Sequence, residues 1–242
     1  MSIYLVGGGP AEALNEVYDH FVEAARARGN RVAIALLGSQ DEVAQYLDAY
    51  ADPITSRFAE ALIEPIWLAD SEDDGEDATV WPAEPEELAG IIVGGGWTPG
   101  YLDALMTRRD LLARLVRSGV PYLGFSAGAM VTAKHVICGG WKHRGRQIAP
   151  ELASDGSTEL VVREGLGLIG PSIDTHADTW TLLDRAVSAL HEGPLTSVAT
   201  IDETTCLLVD SASGHSRVIG QGRVTWLRRE GEQVIIHTQH AS

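Results

Sequence analysis

The sequence predicts an α/β fold in three layers, a mostly parallel sheet flanked by helices, with an antiparallel extension toward the C-terminus. Two observations predict it. Over the first 125 residues, short apolar runs alternate with segments of helical periodicity, the pattern of parallel strands joined by crossover helices. Beyond residue 159, β-rich runs follow one another around glycine turns, as antiparallel strands do. The 242 residues, 45% of them hydrophobic, suffice for one core without disulfides or metals. No repeat or linker divides them, so residues 1–242 read as a single domain.

Ile3-Tyr4-Leu5-Val6 is the first strand. Leu14, Val17, Tyr18, Phe21 and Ala25 then recur at steps of three and four, placing an apolar stripe on a helix that ends at Gly29. Residues 31–37 form the second strand. Val43, Leu47 and Tyr50 give a second helical stripe, interrupted at Pro53 and resumed through Phe58 and Leu62 ahead of a strand at Ile66-Trp67-Leu68. Residues 90–93 are short, apolar and β-branched, as a buried strand should be. Leu102, Leu105, Met106, Leu112, Leu115 and Val116 line one helix that stops at Gly119, and residues 120–125 are the next strand. The segment 133–157, rich in Gly, Lys, Arg and His, reads as an irregular excursion near the site. Strands follow at Leu160-Val161-Val162 and at residues 197–201, 206–209, 217–219, 224–227 and 234–237, with turns at Ser213-Gly214 and Glu230-Gly231.

Charge narrows the function. With 18 basic against 34 acidic residues the net charge is −16 and the pI about 4.8, so nucleic acid and anionic membrane are repelled as main partners. Nine acidic residues and no basic one lie between positions 70 and 87; a solvated, mobile loop is expected, since the block lacks the spaced ligands of a calcium loop. Cys138 and Cys206 sit in apolar stretches without paired spacing and read as buried free thiols. The apolar run near the start is too short for a signal peptide or a membrane span, which suggests a cytoplasmic protein.

Gly124-Phe125-Ser126-Ala127-Gly128 is the sharpest chemical signal. It is a G-x-S-x-G between a buried strand and a helix-compatible run over 127–133, the context of a nucleophile elbow. A second run, Val93-Gly94-Gly95-Gly96-Trp97, also follows a strand, so it should end at the same sheet edge and bring main-chain N–H groups close to a substrate. Serine needs a base. Of eight histidines, His176 is the best placed, following a short strand and preceding a helical pattern. Asp174, Asp178, Asp202 and Glu203 are each placed to orient it, and spacing does not choose among them. The G-x-G-x-x-G match at 165–170 runs into Pro171 and a strand, not a helix, which disfavours a dinucleotide site. His176-Ala177-Asp178 has no third and fourth metal ligand at suitable spacing, so neither metal nor cofactor is expected.

Taken in order, Val-Gly-Gly-Gly (93–96), Gly-Val-Pro-Tyr-Leu-Gly-Phe-Ser-Ala-Gly-Ala (119–129), Gly-Leu-Gly-Leu (165–168), Ile-Asp-Thr-His (173–176) and Ile-Asp-Glu-Thr-Thr (201–205) resemble the peptidase E and cyanophycinase family of serine hydrolases. The likeness spans about residues 3–210. It implies a class I glutamine amidotransferase-like fold and a Ser-His-Glu triad, with Ser126 as nucleophile, His176 as base and Glu203 as orienting acid. Main-chain N–H groups of Gly95, Gly96 and Ala127 would form the oxyanion hole, and Trp97 and Asp174 would contact substrate.

The sequence departs from the family at several places. Cyanophycinases follow the histidine with an aromatic residue and a basic cluster, whereas here the text is Ala177-Asp178-Thr179-Trp180-Thr181, which argues against cyanophycin. Trp97 stands where the family often has Asn or Gln. Peptidase E acts on dipeptides with N-terminal aspartate, and Lys142, Arg144 and Arg146 are the cations available to grip such a carboxylate. The resulting expectation is a serine peptidase acting on a short peptide, such as an aspartyl dipeptide, or a related amide. Its partners would be that small substrate and, in a homodimer, a second copy of the chain. The alternative is a binding or regulatory protein on the same scaffold.

Overall fold

Alternate residues of the first strand are buried on both faces, and this sets the layering. Ile3 and Leu5 enter one apolar core while Tyr4 and Val6 enter another, so the strand lies in the middle layer of a sandwich. The structure, a computed structural model, describes residues 2–69, 79–191, 194–210 and 213–241. The acidic run over 70–78 lies outside the described residues.

Strands β1 (Ser2–Val6), β2 (Arg31–Leu37), β3 (Leu62–Leu68), β4 (Gly90–Val93) and β5 (Tyr122–Phe125) run parallel. The excursion adds β6 (His135–Ile137), β7 (Lys142–His143), β8 (Arg146–Gln147) and β9 (Val162–Glu164), with β6 paired to β9 and β7 to β8. Six more strands follow: β10 (Ser172–Thr175), β11 (Ser197–Ile201), β12 (Thr205–Asp210), β13 (Ser216–Gly220), β14 (Arg223–Glu230) and β15 (Gln233–His240). The large sheet has seven strands in the order β13-β12-β1-β5-β4-β2-β3, and a second sheet has four in the order β10-β11-β14-β15.

Helices α1 (Asn15–Arg26) and α2 (Gln40–Thr55) cover one face of the large sheet, packing Val17, Phe21, Ala51 and Ile54 against it. On the other face lie α3 (Thr98–Met106), α4 (Arg109–Arg117) and the second sheet, which is backed by α7 (Leu183–His191). Two single-turn helices, α5 (Ala127–Met130) and α6 (Ala177–Trp180), follow β5 and β10. Among the described residues no helix is long and apolar enough to cross a membrane.

Three expectations are corrected. The helix containing Pro53 is not interrupted there but runs on to Thr55; Ala49, whose carbonyl Pro53 cannot bond, is exposed and water can take its place. The stripe from Leu102 to Val116 belongs to two helices, because the Thr107 hydroxyl bonds the Ala104 carbonyl at 2.7 Å and Arg108 leaves helical geometry. The antiparallel extension is divided between the two sheets: β12 and β13 extend the large one, β14 and β15 the small one. His176 and Glu203 therefore follow strands of the second sheet, not strands on the same edge as Ser126.

The sheets share one core, and a main-chain bond also links them at the C-terminal end of β1. The Ser126 N–H donates to the Val6 carbonyl at 3.0 Å, and the His176 N–H donates to the Gly7 carbonyl at 2.9 Å. The Gly7 N–H donates to the Thr205 carbonyl at 3.0 Å, two residues beyond Glu203. Gly7 has to lack a side chain, since a Cβ there would lie 2.3 Å from the Asp202 carbonyl oxygen and 2.5 Å from that of Ile201. Gly7→Ala is expected to cost about 1–3 kcal/mol in urea unfolding; an unchanged midpoint would contradict this packing.

Candidate active site

The elbow is built from small residues because backbone passes on both sides of it. A Cβ on Gly124 would lie 2.4 Å from the Gly128 carbonyl oxygen, and one on Gly128 would lie 2.4 Å from that of Val93. Between them Ser126 is held at φ 48°, ψ −113°, a conformation that costs a residue with a side chain about 1–3 kcal/mol. The surrounding fold holds it there. Besides the Val6 bond, the Gly128 N–H donates to the Gly94 carbonyl at 3.1 Å, and the buried Tyr122 hydroxyl donates to the Gly128 carbonyl at 2.7 Å. The helix after the elbow is the single turn α5, shorter than the 127–133 expected.

His176 immediately precedes α6 in a left-handed conformation, φ 60° and ψ 35°. Its Nε2 lies 2.8 Å from Ser126 Oγ and its Nδ1 lies 2.8 Å from Glu203 Oε1. A carboxylate only accepts, so in the neutral ring Nδ1 carries the hydrogen and Nε2 is free to accept from the serine hydroxyl. The ring stacks on Trp180 with centroids 4.2 Å apart and planes at 21°. All three side chains are half-buried, so a small molecule can reach them.

The four acids separate by position. Glu203 alone touches the imidazole, and its Oε1 also accepts from the Thr179 hydroxyl at 3.0 Å. Asp178 accepts the Glu203 main-chain N–H at 3.0 Å and so fixes that residue's backbone. Asp202 turns to β14, accepting the Arg223 N–H at 3.0 Å, and burial pushes its carboxyl above the usual range. Asp174 is wholly buried against Arg185, whose Nε and Nη2 reach its two oxygens at 3.0 and 2.6 Å. It is therefore no substrate contact, and that expectation is corrected. A third Arg185 bond, to the Ala153 carbonyl at 2.6 Å, ties β10, α7 and the excursion together.

Two more of the expected site residues, Gly95 and Trp97, are already hydrogen-bonded within the protein. The Gly95 N–H is already spent on the Tyr50 hydroxyl at 3.1 Å, so of the three expected oxyanion donors it is engaged in this structure. The N–H groups of Gly96 and Ala127 have no partner among the described residues. Trp97 is 39% exposed and its indole N–H donates to the Asp155 carbonyl at 3.0 Å, anchoring the glycine loop to the excursion. The suggested cationic grip is dispersed: Lys142 stands 4.0 Å over the Trp141 ring, Arg146 lies 3.8 Å from Asp184, and the Arg144 N–H binds Glu159.

Sequence reasoning missed Tyr50, Tyr101, Thr179 and Trp180. The Tyr101 hydroxyl donates to the Gly95 carbonyl at 3.2 Å and accepts the Leu37 N–H at 3.1 Å, so Tyr50 holds Gly95 by its N–H and Tyr101 holds it by its carbonyl. Tyr50 had been visible only as one member of a helical stripe. Among the described residues no cluster of His, Cys, Asp and Glu is arranged to hold a metal ion.

Residues 83–216 match the family model of Peptidase family S51, and the matched stretch contains Ser126, His176 and Glu203. Among solved structures, a peptidase from an acI-B1 Actinobacterium superposes with a TM-score of 0.71 at 22% identity, covering 99% of this chain and 96% of that one. At that identity the likeness speaks for the fold. No curated protein matches the chain.

Asp174→Asn leaves the buried Arg185 charge without its partner, and a loss of about 3–5 kcal/mol in denaturant unfolding is expected. A loss below about 1 kcal/mol would mean that the guanidinium is not held as described.

Proposed function

The chain belongs to peptidase family S51, and from that premise we propose that it is a serine peptidase hydrolysing a short peptide through an acyl-enzyme on Ser126. The observation that carries this reading is the continuous relay Ser126 Oγ, His176 Nε2, His176 Nδ1 and Glu203 Oε1, with 2.8 Å at both contacts.

As the Ser126 oxygen bonds to the substrate carbonyl carbon, its proton passes to His176 Nε2. Negative charge collects on the former carbonyl oxygen, where the unpartnered N–H groups of Gly96 and Ala127 are the available donors; a donor of this type is worth about 10²–10³ in rate. The tetrahedral intermediate collapses by breaking the C–N bond, and the imidazolium returns its proton to the departing amine. Water then attacks the ester, with His176 again as base, and releases the acid and the free serine. Glu203 keeps the Nδ1–H tautomer and stabilises the imidazolium, while Thr179 and Asp178 hold Glu203 in place.

Ser126→Ala is expected to abolish peptide turnover with the fold retained, and a fluorophosphonate should label the native protein stoichiometrically at Ser126. Full activity in the alanine variant would end the proposal. Glu203→Gln keeps the size of the side chain but loses the charge that balances the imidazolium, and kcat should fall by up to about 10⁴-fold. An unaltered kcat would remove Glu203 from the mechanism.

A further inference from the structure

A cavity of about 350 Å³ opens beside the elbow at the carboxyl ends of β2 and β4, with Leu36, Leu37, Val43, Tyr46, Tyr50 and Tyr101 in its walls. That is the edge of a parallel sheet where ligands bind, and the volume lies in the range of small-molecule sites. Gly95 also lines it, and a Cβ on Gly95 would lie 3.7 Å from Ser126 Oγ, so the cavity begins within one residue of the nucleophile.

We propose that this cavity is the subsite for the side chain of the residue whose carbonyl Ser126 attacks, and that it takes an uncharged aromatic or branched aliphatic group. The proposal rests on the serine-peptidase reading and adds a substrate class to it. The direction follows from the chemistry. His176 must hand its proton to the leaving amine, and it enters from the second sheet, tied to the end of β1. In the large sheet β5 separates β1 from β4, so the part of the cavity at the ends of β2 and β4 lies on the other flank of Ser126, beside the glycine loop that would hold the acyl oxygen, with Pro10 beyond β1 closing its near end.

The class follows from the walls. The Tyr50 and Tyr101 hydroxyls are bonded to the main chain of Gly95 and Leu37, so both are already engaged, and Leu36, Leu37 and Val43 add apolar wall. Tyr46 is 56% exposed at the rim, an apolar surface that a bound side chain would cover. No lining residue is charged, so an aspartyl carboxylate would lose its water without gaining a cation. An acidic residue is thereby disfavoured at this position, contrary to the aspartyl dipeptide expected from the resemblance.

The experiment compares the rates at which diphenyl phosphonate analogues of phenylalanine and of aspartate label Ser126; in each the serine oxygen displaces phenoxide from phosphorus and its proton passes to His176. The phenylalanine analogue is expected to react at least tenfold faster. Ala49 lines the cavity from an exposed position on α2, so substitutions there are not expected to prevent folding, which circular dichroism checks. Ala49→Phe should slow the phenylalanine analogue at least tenfold, and Ala49→Arg should raise the aspartate-to-phenylalanine rate ratio at least tenfold. Equal or faster reaction of the aspartate analogue with the native protein, or ratios indifferent to both variants, would overturn the subsite while leaving the nucleophile intact. If a simple fluorophosphonate also fails to label Ser126, the serine-peptidase reading falls, and the subsite with it.

Discussion

Three main-chain hydrogen bonds at the end of β1 are the constraint on which the candidate site depends. Val6 and Gly7 bond the backbones of Ser126 and Thr205, which belong with β1 to the large sheet, and of His176, which follows a strand of the second sheet. A relay with 2.8 Å contacts tolerates errors of only about half an ångström. Side chains alone cannot supply that precision between independent sheets. Backbone bonds can, because each fixes a peptide plane next to the residue that carries the group.

The same junction explains where small residues and strained ones occur. Gly7 passes within a would-be Cβ contact of Asp202, and Gly8 within one of Glu203, which lets the turn from β11 to β12 cross between sheets directly over the end of β1. Ser126 and His176 both have positive φ, so each leaves its strand abruptly and presents its side chain at the sheet edge. This local strain is offset by packing around it: the Tyr122 hydroxyl beneath the elbow, and the buried Asp174–Arg185 pair beneath the strand that delivers His176. A buried pair of that kind adds little net stability over an apolar one, but it fixes which way β10 faces.

Much of this was legible in the sequence. The strands of the large sheet, the elbow, the glycine loop and His176 are local patterns, in which apolar run, glycine and nucleophile adjoin. Partnership between strands is not local: β11 and β12 have similar composition, yet one pairs with β10 and the other with β1. For the same reason spacing could not choose the orienting acid, since Asp202 and Glu203 are neighbours whose side chains leave the turn in different directions, one toward Arg223 and one toward His176. Asp174 looked like a site residue because it adjoins one. Its partner Arg185 reads as a polar residue of an amphipathic helix and gives no sign of being buried. Tyr50 and Tyr101 likewise have ordinary helical spacing, and only the fold brings both hydroxyls to Gly95.

The most direct measurement is a crystal structure of the protein with a phosphonate bonded to Ser126. The account predicts that the phosphonyl oxygen accepts from the N–H groups of Gly96 and Ala127 at about 2.7–3.1 Å, with His176 still joined to Glu203 and its main chain still bonded to Gly7. An adduct oxygen directed away from both N–H groups, or an imidazole held by a different acid, would contradict it.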